Sequence, residues 1–241
     1  MVRHHNGIAD SGWLPSLGVM AFLLSVNIGS RQASAHTDVG VTGIDKRPVA
    51  GPVEVRAPGR KGVGGSGLIG DAVCDLRHHG GDDQAVYAFA REDLDYWQEE
   101  LGRPLPGGVF GENLTTSGLE VSDALVGEQW QVGDTVLLEV CSPRVPCRTF
   151  AGWLGERGWV RTFTQQARSG AYLRVLRPGM IEAGDEVLIT HKPDRGVTAS
   201  TVFRAVTTAP DLLPQLVDIE ALPAEIRDMA RKRTTYVLPD A

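Results

Sequence analysis

A cysteine set between arginines is the residue of this chain best suited to chemistry. Cys147 closes the run Cys141-Ser-Pro-Arg-Val-Pro-Cys147 and is flanked by Arg144 and Arg148. Neighbouring cations favour the thiolate form required of a nucleophile or a soft metal ligand. Pro143 and Pro146 stiffen the backbone that presents it. Cys74 and Cys141 lie inside apolar runs and are expected to be buried small hydrophobes. Three widely spaced cysteines make neither a disulfide framework nor a Cys-x-x-Cys metal site, so a reducing, cytoplasmic setting is the simpler expectation.

Three more polar clusters interrupt an otherwise apolar pattern: Lys46-Arg47, the run Arg77-His78-His79-Gly80-Gly81-Asp82-Asp83-Gln84, and the run Phe110-Gly111-Glu112-Asn113-Leu114-Thr115-Thr116. Glycine-rich loops of this kind are where function is usually carried. Each member also has a plain structural reading. Gly80-Gly81 can be a turn, Asn113 a turn cap, Asp82 or Asp83 the approach to a strand, and His78 or His79 an ordinary surface or core histidine. Glu112 is more specific, since a carboxylate between apolar strand ends must be solvated, paired or protonated.

The elements that must position these residues are mostly short strands. Phe22–Gly29, Val53–Val55, Ala85–Phe89, Val126–Val132, Val136–Val140, Tyr172–Leu176 and Val187–Thr190 are apolar runs punctuated by glycine. Such spacing predicts a barrel or curled sheet rather than a doubly wound fold. Gly-Asp precedes two of these runs, at Gly133-Asp134 and Gly184-Asp185, with Gly70-Asp71 a weaker third, and the aspartates are expected to be turn residues. Ala90, Leu94, Trp97 and Leu101 share one helical face that Gly102 ends, and Phe150, Trp153 and Leu154 make a shorter one. Trp97 and Trp153 are expected in the core. After Pro193 the composition shifts to helix-like pieces at 201–206, 209–217 and 223–233.

The boundaries that follow are an N-terminal extension at 1–19, a barrel domain at 20–193 and a small helical extension at 194–241. Residues 1–19 are expected to be disordered, ahead of an internal start at Met20. Against this stands a signal-peptide-like pattern: Arg3-His4-His5, an apolar stretch from Trp13 to Val26, and Ala33-Ser34-Ala35. Removing that stretch would take a buried strand with it. No run of about 20 apolar residues is present, which predicts no membrane span. A net charge of −6 with no Lys/Arg block argues against a nucleic-acid or membrane-surface partner. An apolar helical tail is compatible with a homodimer.

In this order, the motifs His78-His79-Gly80-Gly81-Asp82-Asp83-Gln84-Ala85-Val86-Tyr87, Phe110-Gly111-Glu112-Asn113-Leu114-Thr115 and Pro143-Arg144-Val145-Pro146-Cys147 resemble the MOSC family. That domain is shared with the C-terminus of molybdenum-cofactor sulfurases, and the likeness is closer to its stand-alone bacterial YiiM-like branch. The tail from Val202 resembles the three-helix extension of that branch. The resemblance implies a mainly β (α+β) fold, a closed β-barrel with flanking helices and a C-terminal helical appendage. It implies a molybdenum cofactor of the molybdopterin type, with Cys147 as metal ligand. The activity it implies is reduction of N-hydroxylated compounds, such as hydroxylaminopurines, to amines.

Under that resemblance Cys147, His79, Glu112 and Asn113 are the catalytic candidates. The cofactor-binding candidates are Lys46, Gly80, Gly81, Asp83, Gly111, Asn113, Thr115, Arg144 and Arg168. A thiolate suits a soft molybdenum centre, and Lys46, Arg144, Arg168 and loop N–H groups suit a phosphate. Neither an iron–sulfur cysteine set nor a Gly-x-Gly-x-x-Gly fingerprint is present, so electrons are expected from an external electron-donor reductase. Ser142 stands where the branch often carries glutamine, and Arg148-Thr149 where tyrosine and lysine are common, differences that bear on substrate shape. The alternative is a sulfur carrier that forms a persulfide on Cys147 for assembly of a metal–sulfur centre.

Overall fold

A computed structural model describes residues 20–239. The expected extension at 1–19 lies outside the described residues. The stretch at the heart of the signal-peptide-like pattern is a nine-residue strand, β1 (Ala21–Gly29), whose Leu23 and Val26 are fully buried.

Six further strands complete a closed barrel: β2 (Val86–Ala90), β3 (Leu114–Ser117), β4 (Gln129–Val132), β5 (Val136–Pro143), β6 (Ala171–Arg177) and β7 (Glu186–His191). Their order around the barrel is β7-β4-β5-β6-β2-β3-β1, and β1 closes the ring by pairing with β7 at Ala21↔Val187. All pairs are antiparallel except β2 with β3, which run parallel with Ala88 opposite Leu114. Closure removes the free edges that an open sheet of this size would expose. β1 shifts register between Leu23 and Ser25, and its far end carries the short strand Lys46–Pro48. β3 was not among the expected strands. Its Leu-Thr-Thr sequence lacks apolar alternation, yet all three residues are buried, with Thr115 held in hydrogen bonds.

Leu23, Val26, Val86, Leu114, Trp130 and Leu173 belong to the barrel core. A second core is aromatic. Helix α1 (Arg91–Leu101), ended by Gly102 in the left-handed conformation, packs Trp97 at 4.8 Å from Trp159 in an edge-on contact. Helices α2 (Arg148–Leu154) and α3 (Trp159–Gln166) bring Phe150 and Phe163 to the same cluster, with Phe110 touching both. Trp97 is fully buried as expected, whereas Trp153 is only half-buried and donates its indole N–H to the Val109 carbonyl at 2.8 Å. Trp159 takes the core position instead.

The C-terminal segment forms α4 (Ala199–Thr207), a 3-10 turn over Pro210–Leu216 and α5 (Ala224–Lys232). Thr198 caps α4 by accepting from the Thr201 N–H at 3.1 Å. Val202, Leu213, Leu216 and Ile226 form a small core of their own that includes Val126 and reaches Val145, beside the cysteine loop. Among the described residues no helix is long and apolar enough to cross a membrane.

The indole N–H of Trp97 is buried without a partner, so its role is packing. Trp97→Ala is expected to destabilise the protein by about 3–5 kcal/mol. Trp97→Phe, which keeps most of the ring and loses no hydrogen bond, should cost well under half as much. Denaturant unfolding of both variants checks this.

Candidate active site

Cys147 sits where β5 has ended and α2 begins, in an extended conformation with Arg148 as the first helical residue. It lines a cleft of about 1110 Å³ at the end of the barrel. Burial by itself pushes its thiol up. Hydrogen bonding from the His79 side chain, the positive fields of Arg144 and His79, and the nearby N–H of Phe150 outweigh burial and bring the thiol down to about 6. Cys141 is the contrast: fully buried, bonded to the Asp83 and Tyr172 carbonyls, and pushed up by burial to about 12. Cys74 departs from expectation. It lies in irregular backbone on the cleft wall, half-buried, with its thiol raised first by burial.

Arg144 is buried, donates to the Phe110 carbonyl, and lies 3.9 Å from the Phe150 ring centroid and 5.3 Å from that of Tyr87. The rings shield the guanidinium and contribute cation–π attraction. Arg148, on the other side of Cys147, is exposed and pairs with Asp38.

His79 and Gly80 reach the cleft from the loop before β2. Gly80 and Gly81 both have φ of +81°, and a Cβ on either would meet the backbone of residues 60–65 within 2.8 Å, so the pair lets two loops cross closely. Asp83 lines the cleft but is tied to Arg174 at 2.6 Å.

Asp71 is the site residue that sequence reasoning missed. Its side chain is almost wholly buried, pairs with Lys46, and accepts from the Gly29 N–H and the Asn113 amide, each at 2.9 Å. Asn113 in turn accepts from the Tyr87 N–H at 3.1 Å, joining β2 to the Lys46–Asp71 pair. Burial pulls the Lys46 ammonium below its ordinary range, and Asp71 opposes that. The signal for Asp71 was the same Gly-Asp doublet that marks ordinary turns at Asp134 and Asp185, and nothing in its spacing sets it apart.

Of the expected site residues, Cys147, His79, Asn113, Lys46, Arg144 and Gly111 line this cleft together with Gly80 and Asp83. Glu112, Gly81, Thr115 and Arg168 do not. Glu112 is fully buried beneath the wall, accepting from the Gly108 N–H at 2.5 Å, the Phe110 N–H at 3.0 Å and the Thr115 hydroxyl at 3.0 Å. Its carboxyl is pushed up by burial, against those donors. Arg168 lines a separate cavity, where it pairs with Asp93 at 2.6 Å. Among the described residues no group of three or more His, Cys, Asp or Glu side chains is placed to hold a metal ion.

The fold and the cleft define a class: a closed seven-stranded barrel with a low-pKa cysteine at its mouth. A family model described as the MOSC domain matches residues 75–188. The chain is 32% identical over 183 residues to the uncharacterized protein YflK of Bacillus subtilis (strain 168), covering 76% of this chain and 79% of that protein. It is 30% identical to a protein named reductase from Gibberella moniliformis, covering 96% of this chain but only 41% of that longer protein. The crystal structure of YiiM from Geobacillus stearothermophilus superposes with a TM-score of 0.71 at 29% identity, over 88% of this chain and 98% of the other. The chain belongs to the MOSC domain family and is similar to its YiiM members.

Because the Cys147 thiolate is the populated form above about pH 6, alkylation by iodoacetamide should rise through that pH and level off below pH 8, where an ordinary thiol is still mostly protonated. His79→Ala should move the midpoint upward; an unshifted midpoint would remove His79 from the thiol's environment. Glu112→Ala leaves two backbone N–H groups without an acceptor and is expected to cost at least about 2 kcal/mol, from about 1–3 kcal/mol per orphaned group, measured by denaturant unfolding.

Proposed function

We propose that this protein is a molybdenum-cofactor-binding oxidoreductase that reduces N-hydroxylated compounds to amines. The observation that carries the reading is a thiol held at about 6 by His79 and Arg144 on the wall of a cleft of about 1110 Å³. That volume exceeds the roughly 300–1,000 Å³ typical of a site for one small ligand, which leaves room for a pterin cofactor and a substrate together. The name of the fungal relative, reductase, points the same way.

The residues present fit such a cofactor. Cys147 offers one soft anionic ligand, and a metal held there needs its other ligands from the cofactor itself, as a pterin dithiolene provides. Arg144 and Lys46 are the cations that line the cleft deepest, and the Gly80 loop brings backbone to its wall. Lys46 already pairs with Asp71, so Arg144 carries the larger share of anion binding. Arg168 takes no part, because it belongs to the other cavity. When bound, the cofactor would supply the two-electron redox chemistry.

The chain's own residues account for the rest. Cleaving the N–O bond of R–NHOH to give R–NH2 and water consumes two electrons and two protons. His79, half-buried and beside Cys147, is the group placed to pass protons. Asn113 is committed to Asp71 and the Tyr87 backbone, and so acts as a positioning residue. Glu112 acts one layer deeper, by fixing the Gly108–Thr115 turn. The electrons come from an external reductase.

Metal and pterin analysis of the purified protein and of Cys147→Ser tests the proposal. The expected result is stoichiometric molybdenum in the parent protein, its loss in the variant, and loss of hydroxylaminopurine reduction with it. A persulfide on Cys147 with no molybdenum would instead make the protein a sulfur carrier.

A further inference from the structure

A second cavity, of about 720 Å³, shares no lining residue with the Cys147 cleft. It is framed by α1, α4, the start of β4 and the end of β7. Nothing in the proposed reaction uses it. Its walls carry five carboxylates, Glu92, Asp93, Glu120, Asp123 and Glu128. Three cations share those walls, Arg168, Lys192 and Arg204, so negative charge is in excess. One corner is closed on itself: Asp93 takes Arg168 at 2.6 Å and the Ser122 hydroxyl at 2.8 Å, while the Arg168 guanidinium lies 4.3 Å from the Tyr96 ring centroid.

Glu128 is different. The residue is 2% exposed. Its backbone is fixed on both sides, the N–H donating to the Leu125 carbonyl and the carbonyl accepting from the Val140 N–H, each at 2.9 Å. The side-chain Oε1 accepts from the Trp130 indole N–H at 2.8 Å. Oε2 is buried and accepts no hydrogen bond from any of the described residues. A buried acceptor left without a donor costs free energy. β7 pairs with β4 so that His191 stands opposite Gln129, which sets the next residue, Lys192, beside Glu128. The Lys192 ammonium approaches Oε2 to 3.6 Å, beyond hydrogen-bond reach. Its side chain is 61% exposed, and holding so long a side chain in one geometry costs rotamer entropy. Lys192 thus marks the chemistry that suits the spot, a primary ammonium, without completing the bond.

We propose that this cavity is a second binding site, for an alkylammonium ligand of the polyamine class whose terminal ammonium donates to Glu128 Oε2 once Lys192 swings aside. An ammonium carries three donors and no acceptor, which matches an oxygen that lacks a donor. Among the described residues no group of three or more His, Cys, Asp or Glu side chains is placed to hold a metal ion, so the cation that fits is organic. The carboxylates come from separate elements: Glu92 from α1, Glu120 and Asp123 from the segment after β3, and Glu128 from the approach to β4. A chain with more than one cationic nitrogen can meet several of them, and the exposed side chain of Ile189 offers its methylenes an apolar contact. The volume lies within the roughly 300–1,000 Å³ of small-molecule sites. The site is independent of the reductase reading.

Calorimetric titration of the full chain with spermidine at low ionic strength tests the proposal, with Glu128→Gln, Lys192→Ala and Glu120→Gln alongside. The parent should bind saturably. Glu128→Gln keeps an oxygen for the Trp130 indole and should weaken binding at least about tenfold, as expected for loss of a hydrogen bond to a charged group. Lys192→Ala should tighten it about threefold, since a partly exposed ion pair no longer has to be displaced. Glu120→Gln removes the same charge from an exposed position and should stay within about twofold of the parent. Spermidine binding that is absent from the parent, unchanged in Glu128→Gln, or weakened as much by Glu120→Gln as by Glu128→Gln overturns the proposal. Thermal melting without ligand shows whether Glu128→Gln folds. Should it not fold, Lys192→Ala decides: a purely structural ion pair predicts a lower melting temperature with no gain in spermidine affinity, and that result also overturns the proposal.

Discussion

A guanidinium that leaves water costs several kcal/mol unless something replaces its hydration, and Arg144 is such a group. Among the described residues it makes no ion pair with a carboxylate; it has the Phe110 carbonyl and the faces of Phe150 and Tyr87. Favourable electrostatics reach it from the Tyr87 and Tyr172 phenols and from Cys147, three residues along the chain. The Cys147 thiol is held down first by the His79 side chain and then by the positive field of Arg144. The buried arginine is therefore the second of two supports for the thiolate. Most other features of the cleft can be understood as supports for Cys147, His79 and Arg144.

The supports begin with Phe110, whose carbonyl must be held toward Arg144. Its ring is clamped edge-on among Phe89, Phe150 and Trp159, and its N–H is clamped by Glu112. A buried carboxylate satisfied by backbone donors is a stiff fastener, since removing it strands those donors. Asp71 does the same on the neighbouring side, joining Gly29 at the end of β1, Lys46 and Asn113. Two buried carboxylates therefore brace the barrel end. Neither needs to touch a substrate to matter for the site.

This division explains what could be learned from the sequence. Cys147 stood out because its neighbours are prolines and arginines, while Cys141 did not, and their environments in the fold differ as those neighbours suggest. Six of the seven barrel strands were visible as apolar runs. β3 was hidden because its threonines are buried through hydrogen bonds, which hydropathy does not register. Asp71 was hidden for a related reason: a Gly-Asp doublet looks the same whether the carboxylate ends in solvent or in an ion pair. Glu112 was correctly singled out as a carboxylate needing partners. Its partners turned out to be backbone and hydroxyl donors beneath the cleft wall, a choice fixed by the turn at Gly108 and legible only in three dimensions. Arg168 was a cation without a visible partner in sequence, and the fold supplied Asp93.

The same logic separates the two halves of the cleft. A thiolate–guanidinium pair demands a rigid, desolvated frame, and a closed barrel end with braced loops supplies it. Shape recognition has no such demand, because an apolar contact is nondirectional and scales with area. It can be delegated to an appended element whose helices need only enough core of their own to stay folded. The extension has that core in Val202, Leu213, Leu216 and Ile226, and it borrows Val126 from the barrel to dock. Tyr236 packs half-buried against that core, with its backbone N–H bonded to the Val206 carbonyl of α4. A desolvated charged centre on the barrel and an apolar wall on the appendage thus meet in one cleft, each held by a core of its own.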